Sequence, residues 1–396
     1  MRDPKPTLIR PEPLAGGESA PVGAPIMPSV VYETEDPDAL DAQYEGRREG
    51  FAYAREGHPN AAALARRIAA MEGVGAGVTV GSGMAAVSAA LLGLLRAGDH
   101  ILGGDQLYGR SLRLLSEDLP RLGIATGFVD AGDAAAVEAA LRPETRMILI
   151  EVVSNPTLRV ADLEGIARLA RARGILLAVD NTFTTPRAIR PAEHGADIVI
   201  QSVTKLLSGH SDATLGWVGA RDAALLRRME AFAVTAGMTA SPFDCWLAER
   251  GLATFPLRFD RAEATAAAVA DALAAMPGVR RVIYPGRDDH PDAARARALL
   301  GARFCNMVTF EIEGGRAAAN AFVRAAGGIA FAPTLGDVGS TLSHPASSSH
   351  RGLGPEARAA LGISEGTFRL SVGLEEPDAL TGALAAAADA ARRAAA

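Results

Sequence analysis

Cysteine is nearly absent from this chain: Cys245 and Cys305 are the only two among 396 residues, and neither sits in a CxxC pair. That excludes a disulfide framework and a cysteine metal site, and it suits a reducing compartment. A basic stripe is also missing. The 40 Lys and Arg and 46 Asp and Glu are spread along the chain for a net charge of −6, so nothing tracks a phosphate backbone and nucleic acid is not an expected partner. No apolar run reaches the ~18 residues of a membrane span, and the opening MRDPKPTLIRPEPLAGGESAPVGAP holds no apolar core of signal-peptide length. A soluble, cytoplasmic protein is the expectation. What the chain does have is 48% hydrophobic residues, enough for a substantial core, and at ~100–200 residues per domain its length predicts about two domains.

Residues 1–50 are rich in Pro and Gly without sustained periodicity, and they read as an extended arm lying on something else. From about 60 the pattern turns regular. NAAALARRIAAMEGVGAG predicts a helix capped by Asn60, with Leu64, Ile68 and Met71 on one face and Gly73 at its end. GVTVGSGMAAVSAALLGLLRAGDHIL then reads as a β-α-β unit, and the pattern recurs in RMILIEVVSNP, DLEGIARLARARG, ILLAVDN and ADIVIQSVTK. Strands this continuously apolar are buried on both faces, as in a parallel sheet between helix layers. After about 250, long Ala/Arg helices and the separated strands NMVTFEIEG and TFRLSVGL predict a smaller α+β domain. The division expected is an arm at 1–50, a large α/β domain at 51–250 and a small domain at 251–396, closed by an ordered terminal helix.

In TVGSGMAAVSAALLGLL the strand stops at Val80, the Gly81–Gly83 turn follows, and a helix presents free N–H groups and a positive dipole end: an anion site. The same spacing matches the GxGxxA dinucleotide fingerprint, with Asp99 and Asp105 as candidate ribose acids, and it also suits a plain βα turn. Asn155, Asp180 and Lys205 carry more information. Each follows the apolar run of a predicted strand, and the separations 180 − 155 and 205 − 180 are equal, one β-α unit apart. That places all three at the carboxyl edge of one parallel sheet, where open α/β sheets bind ligands. Taken singly, Asp180 is a strand-end turn residue and Lys205 a surface lysine. Taken together with the anion site they match pyridoxal phosphate, which needs a lysine for its Schiff base, an acid for its ring nitrogen and a phosphate cradle to which Ser202 and Thr204 add hydroxyls.

The strings YAREGHPN, GSGMAA, DQLYGRS, SNPTLRVADLEGIA, VDNTFTTP, SVTKLLSGHSD, TLSHPASSSH and FRLSVGLEE, in this order, resemble the Cys/Met-metabolism family of pyridoxal phosphate enzymes. That family includes cystathionine gamma-synthase, cystathionine gamma-lyase, methionine gamma-lyase and the O-acylhomoserine sulfhydrylases. The likeness covers about residues 22 to 376. It implies an aspartate-aminotransferase-like (fold type I) large domain, pyridoxal 5'-phosphate as cofactor, and a homotetramer whose active sites are shared between subunits. By resemblance Lys205 is the Schiff-base lysine, Asp180 the partner of the ring nitrogen, and Asn155 a donor near the phenolic oxygen. Tyr108 is the stacking ring and candidate acid; Gly83, Met84, Ser202 and Thr204 bind the phosphate; Tyr53 and Arg55 reach the neighbouring subunit's cofactor. Arg369 pairs the substrate carboxylate, with Asn155 and Ser340 beside it. The implied reaction is γ-replacement or γ-elimination on an activated homoserine or a sulfur amino acid.

Three departures bear on the substrate. Arg110 stands where methionine gamma-lyases carry cysteine and most other members glycine, and pointing inward it would attract an anionic tail. Gly339 falls where cystathionine enzymes typically place a glutamate for the distal ammonium, which favours a substrate or nucleophile without a second ammonium, such as a small thiol. EVVSNP replaces the usual SxP before SNP, an alteration expected to reshape the pocket wall. Rival readings are a β-lyase or aminotransferase on the same cofactor, a nicotinamide dehydrogenase resting on GxGxxA alone, and a non-catalytic cofactor-binding protein.

Overall fold

The computed structural model describes residues 21–395, so the first twenty residues of the expected arm lie outside the described residues. The rest of that arm is not wholly extended. Asp36 accepts the Ala39 N–H at 2.8 Å and Pro37 follows at the first position, which nucleates a short helix, α1, over Pro37–Tyr44. The next helix, α2, spans Pro59–Glu72 and ends on Gly73 at φ 70, as the pattern predicts. Its cap differs: His58, not Asn60, occupies the N-cap and accepts the Ala61 N–H at 3.2 Å. Asn60 sits inside the first turn and instead ties down the arm, accepting from Met27 N and donating to Pro25 O, each at 2.9 Å.

Seven strands form the larger sheet: β1 Ala76–Val80, β2 His100–Gly104, β3 Ala125–Val129, β4 Thr145–Glu151, β5 Leu176–Asp180, β6 Ile198–Gln201 and β7 Gly216–Ala220. Their order is β1-β7-β6-β5-β4-β2-β3, with β7 antiparallel to both neighbours and every other pairing parallel. The run from β1 through helix α3, Gly83–Leu94, to β2 is therefore not a neighbouring β-α-β pair, because the four strands β7, β6, β5 and β4 lie between its two strands. Apolar side chains from both faces of β4, β5 and β6 fill two separate core clusters. Burial on both sides explains why those strands read as unbroken apolar runs.

A second sheet follows, built from β8 Val279–Ile283, β9 Met307–Ile312, β10 Ala330–Phe331, β11 Thr341–Ser343 and β12 Thr367–Ser371, in the order β10-β11-β12-β9-β8. Its core joins Phe310, Phe322 and Phe368, whose ring centroids lie 5.1–5.6 Å apart. The Ala-rich tail is a helix, Pro377–Ala395, that buries Leu380, Leu384, Ala387, Ala388 and Ala391 on one side. Among the described residues no helix is long and apolar enough to cross a membrane.

Candidate active site

The carboxyl ends of β4, β5 and β6 lie side by side in the sheet, and their last residues or following turns carry Glu151, Asn155, Asp180 and Lys205. Asp180 keeps some surface toward the cleft, yet burial raises its pKa above the usual 3.8. The hydroxyl and N–H of Thr182, at 2.5 and 3.0 Å, pull it back. The same hydroxyl accepts Ser202 N at 2.9 Å, so Thr182 joins the acid at the end of β5 to the loop after β6. No basic side chain forms an ion pair with Asp180 among the described residues.

After β6 the chain coils into a turn, with Lys205 N donating to Ser202 O at 3.0 Å and Gly209 N to Lys205 O at 2.8 Å. Lys205 Nζ donates to Thr334 Oγ1 at 3.2 Å. Burial lowers its pKa from the usual 10.5, and the positive charge of Arg369 lowers it further. A buried guanidinium fixes this turn from behind. Arg258 donates to Leu206 O, Leu207 O and Gly251 O at 2.9–3.1 Å, and to Thr254 Oγ1 at 3.1 Å. A cation at carbonyls that end a helical turn is electrostatically favourable, and it holds the Lys205 backbone rigid.

Arg369 arrives on β12 from the second sheet. One guanidinium nitrogen donates to Asn155 Oδ1 at 2.7 Å and another to Thr334 O at 2.8 Å, while Nε has no partner among the described residues. Burial lowers its pKa to about 10. No acidic side chain pairs with it among the described residues, and a buried charge without an opposite charge is strongly unfavourable. The group is thus set up to receive an anion, and its planar fork matches a carboxylate.

At the other end of the cleft, Ser82 caps α3 by accepting Ala85 N at 3.1 Å, and the first turn presents Gly83 and Met84. A Cβ on Gly83 would stand 2.6 Å from Ser202 Oγ, so only glycine lets the helix start come this close to the β6 loop. Thr204 has its hydroxyl engaged elsewhere, donating to Leu215 O at 3.0 Å and accepting Leu215 N at 2.9 Å. Tyr108 is 39% exposed. It precedes the short helix α4, Gly109–Arg113, and its backbone N–H donates to Glu151 Oε1 at 2.6 Å.

The remaining residues singled out from sequence lie around this cleft in different ways. Ser340 is buried with its polar groups taken: its N and Oγ donate to Glu375 at 2.6 and 2.7 Å, and Oγ accepts Gly373 N at 2.9 Å. Arg110 is exposed and makes no side-chain hydrogen bond or ion pair among the described residues. Val152 and Val153 do not form a pocket wall, because both are buried in the larger core cluster. Tyr53 and Arg55 stand exposed, the guanidinium 5.4 Å from the tyrosine ring. Arg55 borders a groove of about 500 Å³ with Phe51, His58, Val80 and Glu230, which contains none of Lys205, Asp180 and Arg369. Glu151, Thr182, Thr334, Arg258 and Glu375 escape the sequence reading. Of these only Glu151 carries a local signal, a charged residue ending an apolar run just as Asp180 does.

Comparison with known proteins points to one family over nearly the whole chain. The family model for "Cys/Met metabolism PLP-dependent enzyme" matches residues 8–389. The chain is 39% identical to an L-methionine gamma-lyase of Pseudomonas putida, over 92% of this chain and 91% of that protein. It is 40% identical to the cystathionine beta-lyase of Bacillus subtilis strain 168, over 83% and 84%. A crystal structure of cystathionine gamma synthase from Xanthomonas oryzae pv. oryzae in complex with cystathionine superposes with a TM-score of 0.89 at 36% identity, covering 94% of each chain. The chain belongs to the Cys/Met metabolism family of pyridoxal phosphate-dependent enzymes, lyases and synthases of sulfur amino acid metabolism.

Proposed function

We propose that this chain catalyses γ-replacement or γ-elimination on an activated homoserine or a sulfur amino acid, with Lys205 as the proton-transferring base. The observation that carries the reading is the meeting of two groups on one residue: Lys205 Nζ reaches Thr334 Oγ1, and Arg369 reaches Thr334 O. A base and a carboxylate receptor anchored on one residue can serve a single α-amino acid.

The cleft fits pyridoxal phosphate. Asp180 is a carboxyl whose charge burial disfavours and which lacks a cationic partner among the described residues, so a protonated ring nitrogen facing it would restore that charge. The start of α3 at Gly83 and Met84, with Ser202 against it, forms the anion cradle. Asn155 and Tyr108 would flank the ring, and the Thr204 hydroxyl would act from its station on Leu215. When bound, the cofactor supplies an electron sink for the charge left on Cα.

The chain's own residues do the rest. Arg369 orients the substrate through its α-carboxylate. Lys205, whose neutral form burial favours, takes the Cα proton and relays the second proton from Cβ. Tyr108, at the open side of the cleft, donates to the departing γ-substituent. Gly339 offers no side chain for a distal ammonium, which favours methionine-like substrates, acylated homoserines and small thiols over cystathionine. Tyr53 and Arg55, exposed on their own chain, would serve a neighbouring copy's cofactor in a cytoplasmic homotetramer.

The test is to load the protein with cofactor and offer methionine, cystathionine, O-acetylhomoserine and O-succinylhomoserine, with and without sulfide. Release of 2-oxobutyrate, diverted to a thiol-addition product by sulfide, is expected. Pyruvate from cystathionine alone would establish the β-lyase reading, and undiminished turnover in Lys205→Ala would remove the assigned base.

A further inference from the structure

Glu151 ends β4 directly beside Asp180, its register partner on β5. Its Oε1 accepts the Tyr108 N–H at 2.6 Å, and its Oε2 is buried without a partner among the described residues. Burial holds its pKa well above the usual 4.5 and the nearby Asp180 adds to the rise, while the N–H groups of Tyr108 and Asn155 and the charge of Arg369 oppose it. Burial and the neighbouring Asp180 thus both disfavour the charged form of this carboxyl.

Packing alone does not explain the residue. A half-satisfied buried acid is costly, and an apolar side chain of similar volume would fill the site at no such cost. What Glu151 supplies beyond volume is acceptor oxygen: Oε1 takes the Tyr108 N–H at 2.6 Å, while the Asn155 N–H acts on the same carboxyl. The Tyr108 N–H has no other partner among the described residues; Tyr108 sits at the N-cap of the five-residue α4 with φ −48 and ψ 133. On the far side, a Cβ on Gly109 would collide with Ser349 O, so the next residue is pressed against the segment at 349. Tyr108 as a whole is 39% exposed, so packing holds it only in part and its backbone helps decide where the ring stands.

We infer that Glu151 is a positioning residue: through the Tyr108 N–H it sets the place of the Tyr108 ring over the cofactor. The inference rests on the stacking role proposed for Tyr108. Four variants of the cofactor-loaded enzyme test it: Glu151→Gln, Glu151→Asp, Glu151→Leu and Tyr108→Leu. The readouts are visible circular dichroism per bound cofactor, kcat and KM, and melting temperature. Glu151→Gln keeps an oxygen at the same reach and retains the wild-type dichroism and kcat. Glu151→Asp withdraws the oxygen by about 1.5 Å and Glu151→Leu removes it. Both change the cofactor dichroism and lower kcat by about tenfold, the order of one lost hydrogen bond, and Glu151→Asp carries the test should Glu151→Leu not fold. Wild-type dichroism and kcat with a lowered melting temperature in these two variants would overturn the inference. So would a Glu151→Gln enzyme as impaired as Glu151→Leu, which would assign the effect to the proton and not to the acceptor. Tyr108→Leu separates the premises: if it leaves the dichroism unchanged the stacking role fails, and if it alone changes the dichroism only the role of Glu151 fails.

Discussion

Glu72 should make the stability of this protein fall at alkaline pH. It ends α2 with no exposed surface, accepting from Gln201 Nε2 at 2.6 Å and from Asn181 Nδ2 at 3.1 and 3.2 Å. Burial raises its pKa from 4.5 to about 8; the two amides and Arg190 oppose the rise and Asp180 adds to it. An unfolded chain releases this proton near pH 4.5 while the native state holds it to about 8. The contribution is therefore fully present below 4.5, falls as pH rises, and is gone above 8. At about 1.4 kcal/mol for each pH unit, the whole loss is on the order of 5 kcal/mol. For a chain of this length, with an unfolding entropy of roughly 0.8 kcal/mol/K, that is about 6 °C in Tm. Glu72→Gln removes the titration at nearly constant volume, and its amide can meet Gln201 Oε1, which has no partner among the described residues. Melting both proteins at pH 5 and pH 9 isolates the group, because every other titration is common to the pair. The variant should gain about 5 °C on wild type between the two pH values, and a difference that stays flat would refute the reasoning.

Arg369→Lys keeps the charge and loses the fork; KM for the amino acid should rise at least about tenfold with a smaller change in kcat, measured at steady state. Gly83→Ala places a methyl 2.6 Å from Ser202 Oγ and should weaken cofactor binding about tenfold or more, read by titrating apoprotein with pyridoxal phosphate. Gly339→Glu brings its Cβ to 3.3 Å from Asp337 Oδ1, which must shift by a few tenths of an ångström, and should raise kcat/KM for cystathionine relative to methionine; an unchanged ratio would remove Gly339 from the specificity argument.

Legibility in the sequence followed the range of the forces involved. The strands under Asn155, Asp180 and Lys205 were visible because both faces are buried and every residue must be apolar, and the polar residue that stops such a run then stands out. Helix ends were visible where a single residue has to adopt an unusual backbone, as at Gly73, but not where two neighbours compete for a cap. His58 takes the cap at α2 because Asn60 is committed to Met27 and Pro25, a contact more than thirty residues away in the chain.

The sequence by itself determined the chemistry of the centre: a lysine after an apolar run, an acid one β-α unit before it, and a glycine-led helix start, all within one stretch of local β-α repeats. Tertiary structure decided what surrounds it. Arg369 meets Asn155 across 214 residues, Arg258 caps the Lys205 turn from a helix fifty residues on, and the chain passes the four strands β7, β6, β5 and β4 between β1 and β2. Strand order and inter-sheet packing are set by the summed burial of many side chains, to which no short motif points. For the same reason the departures at Arg110 and EVVSNP, which look equally local on the page, separate in space: one side chain is exposed to solvent, and the two valines lie in the core.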